Sequence, residues 1–422
     1  MIATHPFPII EEHDFIPEKY WEKLSDLHFE GNPSDYMGIP KYLGIDHNFK
    51  ASYYIGASWL VKNELAIIVT PKMKNIDFVT MFLEALEVDA KNESNYFAQC
   101  YGIQFDEPTI ETDEQLNQLT PLLVLHFISL LERLVIRGLK KDYIVREENL
   151  KTKVKGRLLI TKHLQKNVFQ QRSDRVYCQY QEYTDDIPEN RLLKKALLFA
   201  DRIIDNYESL KVQSSYSEIQ SRLLRLKDVL SHISDEIEFY QVQKLSINKL
   251  FKEYKEAIRV AKMLLRRFDY SISEASEEQH STPPFWIDMA RLYEMWVHSK
   301  LLQHAIHEIY FQEKGFYGRQ VADYVIPIER LILDAKYKPD YANNNFVDID
   351  DIRELSGNAR DESLLPNLDE SFSPRCIILY PGDYDELKHE EETLFDSQGI
   401  KIPHYRNFYK ISVKLPMIEK QY

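Results

Sequence analysis

The chain has 422 residues, with 53 Lys and Arg against 67 Asp and Glu, for a net charge of −14. Hydrophobic residues at 44% and aromatics at 12% exclude wholesale disorder and supply cores for two or three domains. Only three cysteines (Cys100, Cys178, Cys376) and twelve glycines are present, which speaks against a disulfide framework, a Cys-rich zinc site and a glycine-rich nucleotide cradle.

The N-terminal stretch MIATHPFPIIEEHDF has no basic region followed by a long apolar run, so no secretory signal is expected. No run approaches the ~18 apolar residues of a membrane span, and a cytoplasmic, mixed α/β protein is expected. Residues 1–50 read as acidic, aromatic and irregular. Tyr53–Leu60 and Leu65–Val69 are short apolar runs around Asn63 and Glu64, which predicts a β-hairpin ending at Thr70-Pro71-Lys72. A helix is predicted over 77–91, so residues 1–115 read as an α+β domain. Residues 117–139 predict a buried helix capped by Gly138, and 190–209, 215–232 and 247–269 predict further helices by their three- and four-residue apolar spacing. Residues 116–270 therefore read as a mostly helical, basic region. The Ser-, Glu- and Pro-rich stretch 271–284 reads as a linker, opening a third domain over 271–422. A long helix is expected from about Phe285 to Phe311. Strands are expected at 320–326, 331–337, 375–380 and 408–415, with a loop at 339–350 and a helix near 351–361.

The sharpest chemical signal is Leu331-Ile332-Leu333-Asp334-Ala335-Lys336-Tyr337. Period two places Asp334 and Lys336 on one face of a strand. Asp323 lies on the preceding strand, and Pro327–Arg330 is short enough to be the turn of a hairpin that brings Asp323 and Asp334 together. Two carboxylates that close repel unless a cation joins them, and Mg²⁺ favours a few carboxylates, waters and a phosphate. Lys336 would then stabilise charge on that phosphate. The competing reading is a surface hairpin with an ion pair, and the residues alone leave both open. Asp89-Ala90-Lys91, Glu253/Lys255 and Glu386/Lys388 repeat the same spacing; on helices such residues point apart, which makes them decoys.

Glu294 sits in an apolar-aromatic helix, where a carboxylate must be paired, bind metal or occupy a polar stripe. His298, His304 and His307 read as a solvated face rather than a zinc site. Residues 137–175 hold twelve Lys and Arg against four Asp and Glu, and 244–267 form a second basic stretch. Such patches either grip a phosphate backbone or are solvated faces. There is no G-x-x-x-x-G-K-S/T, so no Walker-type NTPase site is present.

Several segments in order resemble the McrC family, the nuclease subunit of McrBC-type 5-methylcytosine-dependent restriction systems. They are Ile67 through Pro71-Lys72-Met73, Arg137-Gly138-Leu139, Lys155-Gly156-Arg157-Leu158, Glu189-Asn190-Arg191-Leu192-Leu193-Lys194, Leu292-Tyr293-Glu294-Met295-Trp296 and Leu333-Asp334-Ala335-Lys336-Tyr337-Lys338. The resemblance implies a C-terminal PD-(D/E)xK endonuclease domain, a mixed sheet flanked by helices. By position it implies Asp323, Asp334 and Glu294, the last on the preceding helix, as metal-holding catalytic acids, and Lys336 as catalytic lysine. It implies Mg²⁺ as cofactor, with Mn²⁺ an alternative, and as partners double-stranded modified DNA and a McrB-like AAA+ GTPase ring docked through the N-terminal domain. Ala322 stands where the family usually has Pro. Glu354 stands where Gln is common, which leaves its role open. The alternative readings are a non-catalytic adaptor that activates an AAA+ NTPase, and a stand-alone nuclease.

Overall fold

The computed structural model describes residues 7–25, 27, 41–73, 76–92, 99–104, 107–108, 110–111, 119–206, 216–237, 252–273, 281–282, 284–304, 307–318, 321–342, 347–365, 373–382 and 399–417. In chain order the first elements are β1 (Ile9–Glu11), β2 (Tyr54–Val61), β3 (Leu65–Thr70), α1 (Phe78–Asn92), β4 (Tyr101–Ile103) and β5 (Ile110–Glu111). Next come α2 (Leu119–Arg137), β6 (Asp142–Lys151), β7 (Arg157–Leu158), β8 (Arg175–Thr184), α3 (Pro188–Asn206), α4 (Tyr216–Val229) and α5 (Lys252–Ser273). The last are β9 (Ser281–Thr282), β10 (Phe285–Asp288), α6 (Met289–His304), β11 (Tyr310–Lys314), β12 (Val321–Ile326), β13 (Leu331–Ala335), α7 (Ile349–Asn358), β14 (Arg375–Gly382), β15 (Ile400–Lys401) and β16 (Phe408–Lys414). No described helix is long and apolar enough to cross a membrane.

Met1–Leu122 and Glu274–Tyr422 form one compact unit. It holds two mixed sheets and the small β5–β9 pair. The first large sheet has the order β1-β3-β2-β10-β4. Leu65 to Val69 are all buried, because β3 has neighbours on both sides and is covered on both faces. The predicted hairpin of β2 and β3 forms, but the irregular N-terminus also contributes β1, parallel to β3. A larger difference lies at Phe285–Asp288. The sequence there reads as the start of a helix, yet the structure makes it a strand between β2 and β4. Asp288 then accepts the Arg291 N–H at 3.0 Å, so the helix starts at Met289. Helix α6 packs on α1, where Glu84 accepts Trp296 Nε1–H at 2.6 Å and the Lys300 ammonium at 2.7 Å.

The second large sheet has the order β11-β12-β13-β14-β16-β15. β11, β12 and β13 are antiparallel neighbours, while β13, β14 and β16 are parallel. Every residue of β13 is buried, as expected for a strand covered on both faces. Ile332, Val325, Ile378, Ile352 and Leu355 form the core between this sheet and α7.

Leu123–Ser273 form the second unit. The four predicted helices form within one to five residues of their expected starts, but the region also contains an unforeseen antiparallel sheet of order β6-β8-β7. Its strands carry polar residues on most positions, so no apolar alternation announces them. The Glu189-Asn190-Arg191 segment proves to be a staple for this unit. Asn190 is fully buried and donates to the carbonyls of Lys140 and Asp185, while Arg191 grips Asp186 through two 2.7 Å hydrogen bonds.

Candidate active site

The β12–β13 pairing matches Tyr324 with Leu333, Val325 with Ile332 and Ile326 with Leu331. The same register one rung further sets Asp323 opposite Asp334, on the face that also carries Val325 and Ile332. Arg330 closes the turn by donating to the Pro327 carbonyl at 3.1 Å. Asp323 Oδ2 accepts the Ala335 N–H at 2.9 Å, which ties its carboxylate to the neighbouring strand. Lys336 lies on the same face as Asp334, with its ammonium 3.1 Å from Asp334 Oδ2. That is ion-pair distance without hydrogen-bond geometry, so among the described residues buried Asp334 Oδ2 has no hydrogen-bond partner.

Burial pushes the Asp323 carboxyl up to about 7, assisted by Glu294 and opposed by Lys336. Burial and then Asp323 push Asp334 well above the usual carboxylate range. Burial works against the Lys336 ammonium, but Asp334, Asp323 and Glu354 outweigh it, so Lys336 is held firmly protonated. The result is one fixed cation beside two acids that cannot both ionise cheaply. An oxygen-only pair with an unbonded buried oxygen suits a hard divalent cation such as Mg²⁺. Among the described residues no group of three or more His, Cys, Asp or Glu is gathered to hold a metal. Asp323 and Asp334 are thus the protein groups that could hold such an ion, with water and a phosphate completing its shell.

A model of the McrBC 5-methylcytosine restriction system component family matches residues 49–352. The chain belongs to this family. Among solved structures, it is similar to a chain from the half-complex refined from a tetradecameric assembly of Thermococcus gammatolerans McrB AAA+ hexamers with bound McrC. That match has 15% identity and a TM-score of 0.40, and covers 98% of this chain and 95% of that one. A chain of the Thermococcus gammatolerans McrBC complex is similar at 15% identity and a TM-score of 0.32, over 71% of this chain and 88% of that one. No curated protein matches.

In this McrBC-family chain, three of the four expected site residues, Asp323, Asp334 and Lys336, converge directly. Glu294, half-buried on α6, joins them through Gln312. The Gln312 amide donates to Asp323 Oδ1 at 3.0 Å and to Glu294 Oε2 at 3.2 Å. Gln312 faces Asp323 across β11 and β12 and has a φ of +53°, a conformation that costs a non-glycine residue energy. Nothing in the sequence marks Gln312; only its register opposite Asp323 does. Glu354 also reaches the site from α7, accepting from the Lys336 ammonium at 2.9 Å. The second lysine of the motif, Lys338, pairs with Asp351 at 2.7 Å and docks the same helix.

The histidines behave differently from the expected solvated face. His298 is buried, stacks on Phe311 at 4.3 Å, and is pushed down to about 4 by burial. It is a neutral core ring. His307 lies beyond the end of α6, and the side chain of His304 lies outside the described residues. Asp89-Ala90-Lys91 falls in α1, with side chains likewise outside them, as do Glu386 and Lys388. Much of the basic charge of 137–175 is offset by acids beside it. Arg146 meets Glu182 and Asp186, Lys140 meets Glu189, and Lys162 meets Glu147. The second basic stretch lies partly outside the described residues.

Proposed function

We propose that the chain is the DNA endonuclease subunit of a modification-dependent, McrBC-type restriction system, with a PD-(D/E)xK nuclease fold in its C-terminal part. The observation that carries this reading is the opposition of Asp323 and Asp334 beside Lys336. Family membership supplies the system, and the antiparallel hairpin joined to parallel strands supports the nuclease class.

Mg²⁺ bound there would polarise a phosphodiester and lower the pKa of an attacking water. Asp323 and Asp334 would hold the ion, and Glu294 would orient Asp323 through the Gln312 amide. Lys336, kept protonated by Asp334 and Glu354, stabilises the charge that grows on the phosphate. Its position is fixed before substrate arrives, so little reorganisation is needed.

The partner in this reading is a McrB-like AAA+ GTPase that delivers methylated duplex DNA. The sequence has no P-loop of its own, and its net charge of −14 is poorly suited to gripping DNA alone. The deciding assay incubates the chain with methylated and unmethylated duplexes, Mg²⁺ and GTP, with and without a McrB-like AAA+ GTPase. Cleavage that needs the metal and Lys336 supports the proposal. GTPase stimulation with no metal-dependent cleavage by the wild-type chain would instead make it an adaptor.

A further inference from the structure

Strand β13 ends at Ala335, one residue before Lys336. On one side the Lys336 N–H donates to the Leu379 carbonyl at 2.8 Å. On the other side the chain bends at once, with the Lys338 N–H donating to the Lys336 carbonyl at 2.6 Å. The next carbonyl is that of Tyr337. It is met by the ammonium of Lys72, at 2.9 Å. The same ammonium lies 4.6 Å from the centre of the Tyr337 ring. That ring packs at 5.8 Å on Tyr293, the residue before Glu294 on α6.

Lys72 is itself held by local structure. Pro71 cannot donate, so β3 ends there. The Glu12 N–H extends the β1–β3 pairing to the Thr70 carbonyl at 3.0 Å, and Glu12 Oε2 accepts the Lys72 N–H at 3.1 Å. Glu12 is only 3% exposed, with the buried Tyr337 hydroxyl beside its carboxylate. A half-buried lysine beside a buried acid is costly to keep unless its charge is used. Here it binds one carbonyl, that of the residue after Lys336.

We propose that Lys72 is a positioning residue for the candidate nuclease site: by holding the Tyr337 carbonyl it fixes the backbone on the C-terminal side of Lys336, and so the direction of the Lys336 ammonium. This rests on the nuclease reading above. It makes the end of the first sheet part of the cutting site, although no atom of Lys72 touches the acids.

The test compares wild type, Lys72→Met, Lys72→Arg and the double variant Lys72→Met/Glu12→Gln, each assayed together with a McrB-like AAA+ GTPase partner. The double variant removes the lysine and its acid partner together, so no orphaned ion opposes folding. Turnover on methylated duplex with Mg²⁺ and GTP should fall about 100-fold in Lys72→Met and in the double variant, the scale of a small misplacement. DNA affinity and GTPase stimulation should stay within about threefold of wild type, and Mn²⁺ binding to the chain should be retained. Lys72→Arg, which keeps a charged donor, should recover most of the turnover. Turnover within about threefold of wild type in both Met variants would overturn the inference. So would a parallel loss of Mn²⁺ binding, GTPase stimulation and melting temperature, which would show a merely structural role. Wild type that does not cut at all would refute the nuclease reading itself, and the inference with it.

Discussion

Asp323 and Asp334 face each other across adjacent antiparallel strands, and the Ala335 N–H bonds Asp323 at 2.9 Å. This opposition forces a choice on the site: it keeps a proton or takes up a cation. Replacing Asp334 by Asn keeps the shape and removes the charge. Asp334→Asn and Lys336→Ala should each lower cleavage by at least about 100-fold, as for loss of a principal electrostatic group. Secondary structure by circular dichroism and partner binding by gel filtration should be unchanged. Undiminished cutting by either variant would remove the site from the chemistry.

The acids also predict how metal-free stability depends on pH. Asp323 ordinarily titrates at 3.8 and is pushed up to about 7 in the fold by burial, with Glu294 adding to the effect. Burial likewise raises Glu12 to about 7 and Asp288 to about 6. Between the ordinary and the raised values the folded chain holds protons that the unfolded chain has lost. Their stabilising contribution is full below about pH 4 and is lost as pH rises through about 7. Without metal, the melting temperature should therefore fall between about pH 5 and pH 8. Asp323→Asn should flatten that slope, and Mg²⁺ should raise the melting temperature most at the higher pH, where the acids are ionised. A metal-free chain that grows more stable from pH 5 to 8 would contradict the burial of these groups.

Gln312 gives a third prediction. Its amide bridges Glu294 and Asp323, and it holds a φ of +53° to do so. Gln312→Gly removes the amide while tolerating that backbone angle. Gln312→Ala removes the amide and keeps the strain, which is worth about 1 kcal/mol. Both variants should cut roughly tenfold more slowly, because Asp323 loses an orienting donor. The Gly variant should melt at or above the Ala variant. Equal cleavage by wild type and both variants would reduce Gln312 to a packing residue.

The candidate site was legible in the sequence to the extent that strand periodicity is local. Leu331 to Lys336 announces a buried strand with Asp334 and Lys336 on one face, and a four-residue turn sets Asp323 opposite. Gln312 and Glu354 were not legible as site residues, because their roles come from register across β11 and from the docking of α7, which are tertiary facts. The same holds for Phe285–Asp288. Its apolar residues suit a helix or a buried strand equally, and only its neighbours β2 and β4 decide. The β6-β8-β7 sheet escapes a reading of the sequence because its strands carry little apolar alternation. His298 reads as solvated because a single polar residue does not reveal that Phe311 will stack on it.

The unexpected strand β10 supplies the last prediction. Gly56 on β2 pairs with Trp286 on β10 at a φ of +140°, and a Cβ placed there would lie 2.2 Å from the Phe285 carbonyl oxygen. Backbone cannot yield to such a contact, so Gly56→Ala must push β10 off β2 or break the pairing. Because β10 runs directly into α6, the shift would also reach the helix that carries Glu294. Gly56→Ala should therefore destabilise the fold by roughly 2–4 kcal/mol, through steric overlap added to backbone strain. Gly138→Ala is the control. Gly138 also has a positive φ, +94°, but a Cβ added to it would meet nothing within 4 Å, so strain alone acts and the cost should be about 1 kcal/mol. Urea melts of the two variants beside wild type measure the difference. If the two variants lose the same stability, β10 does not pack against β2 as closely as the structure shows.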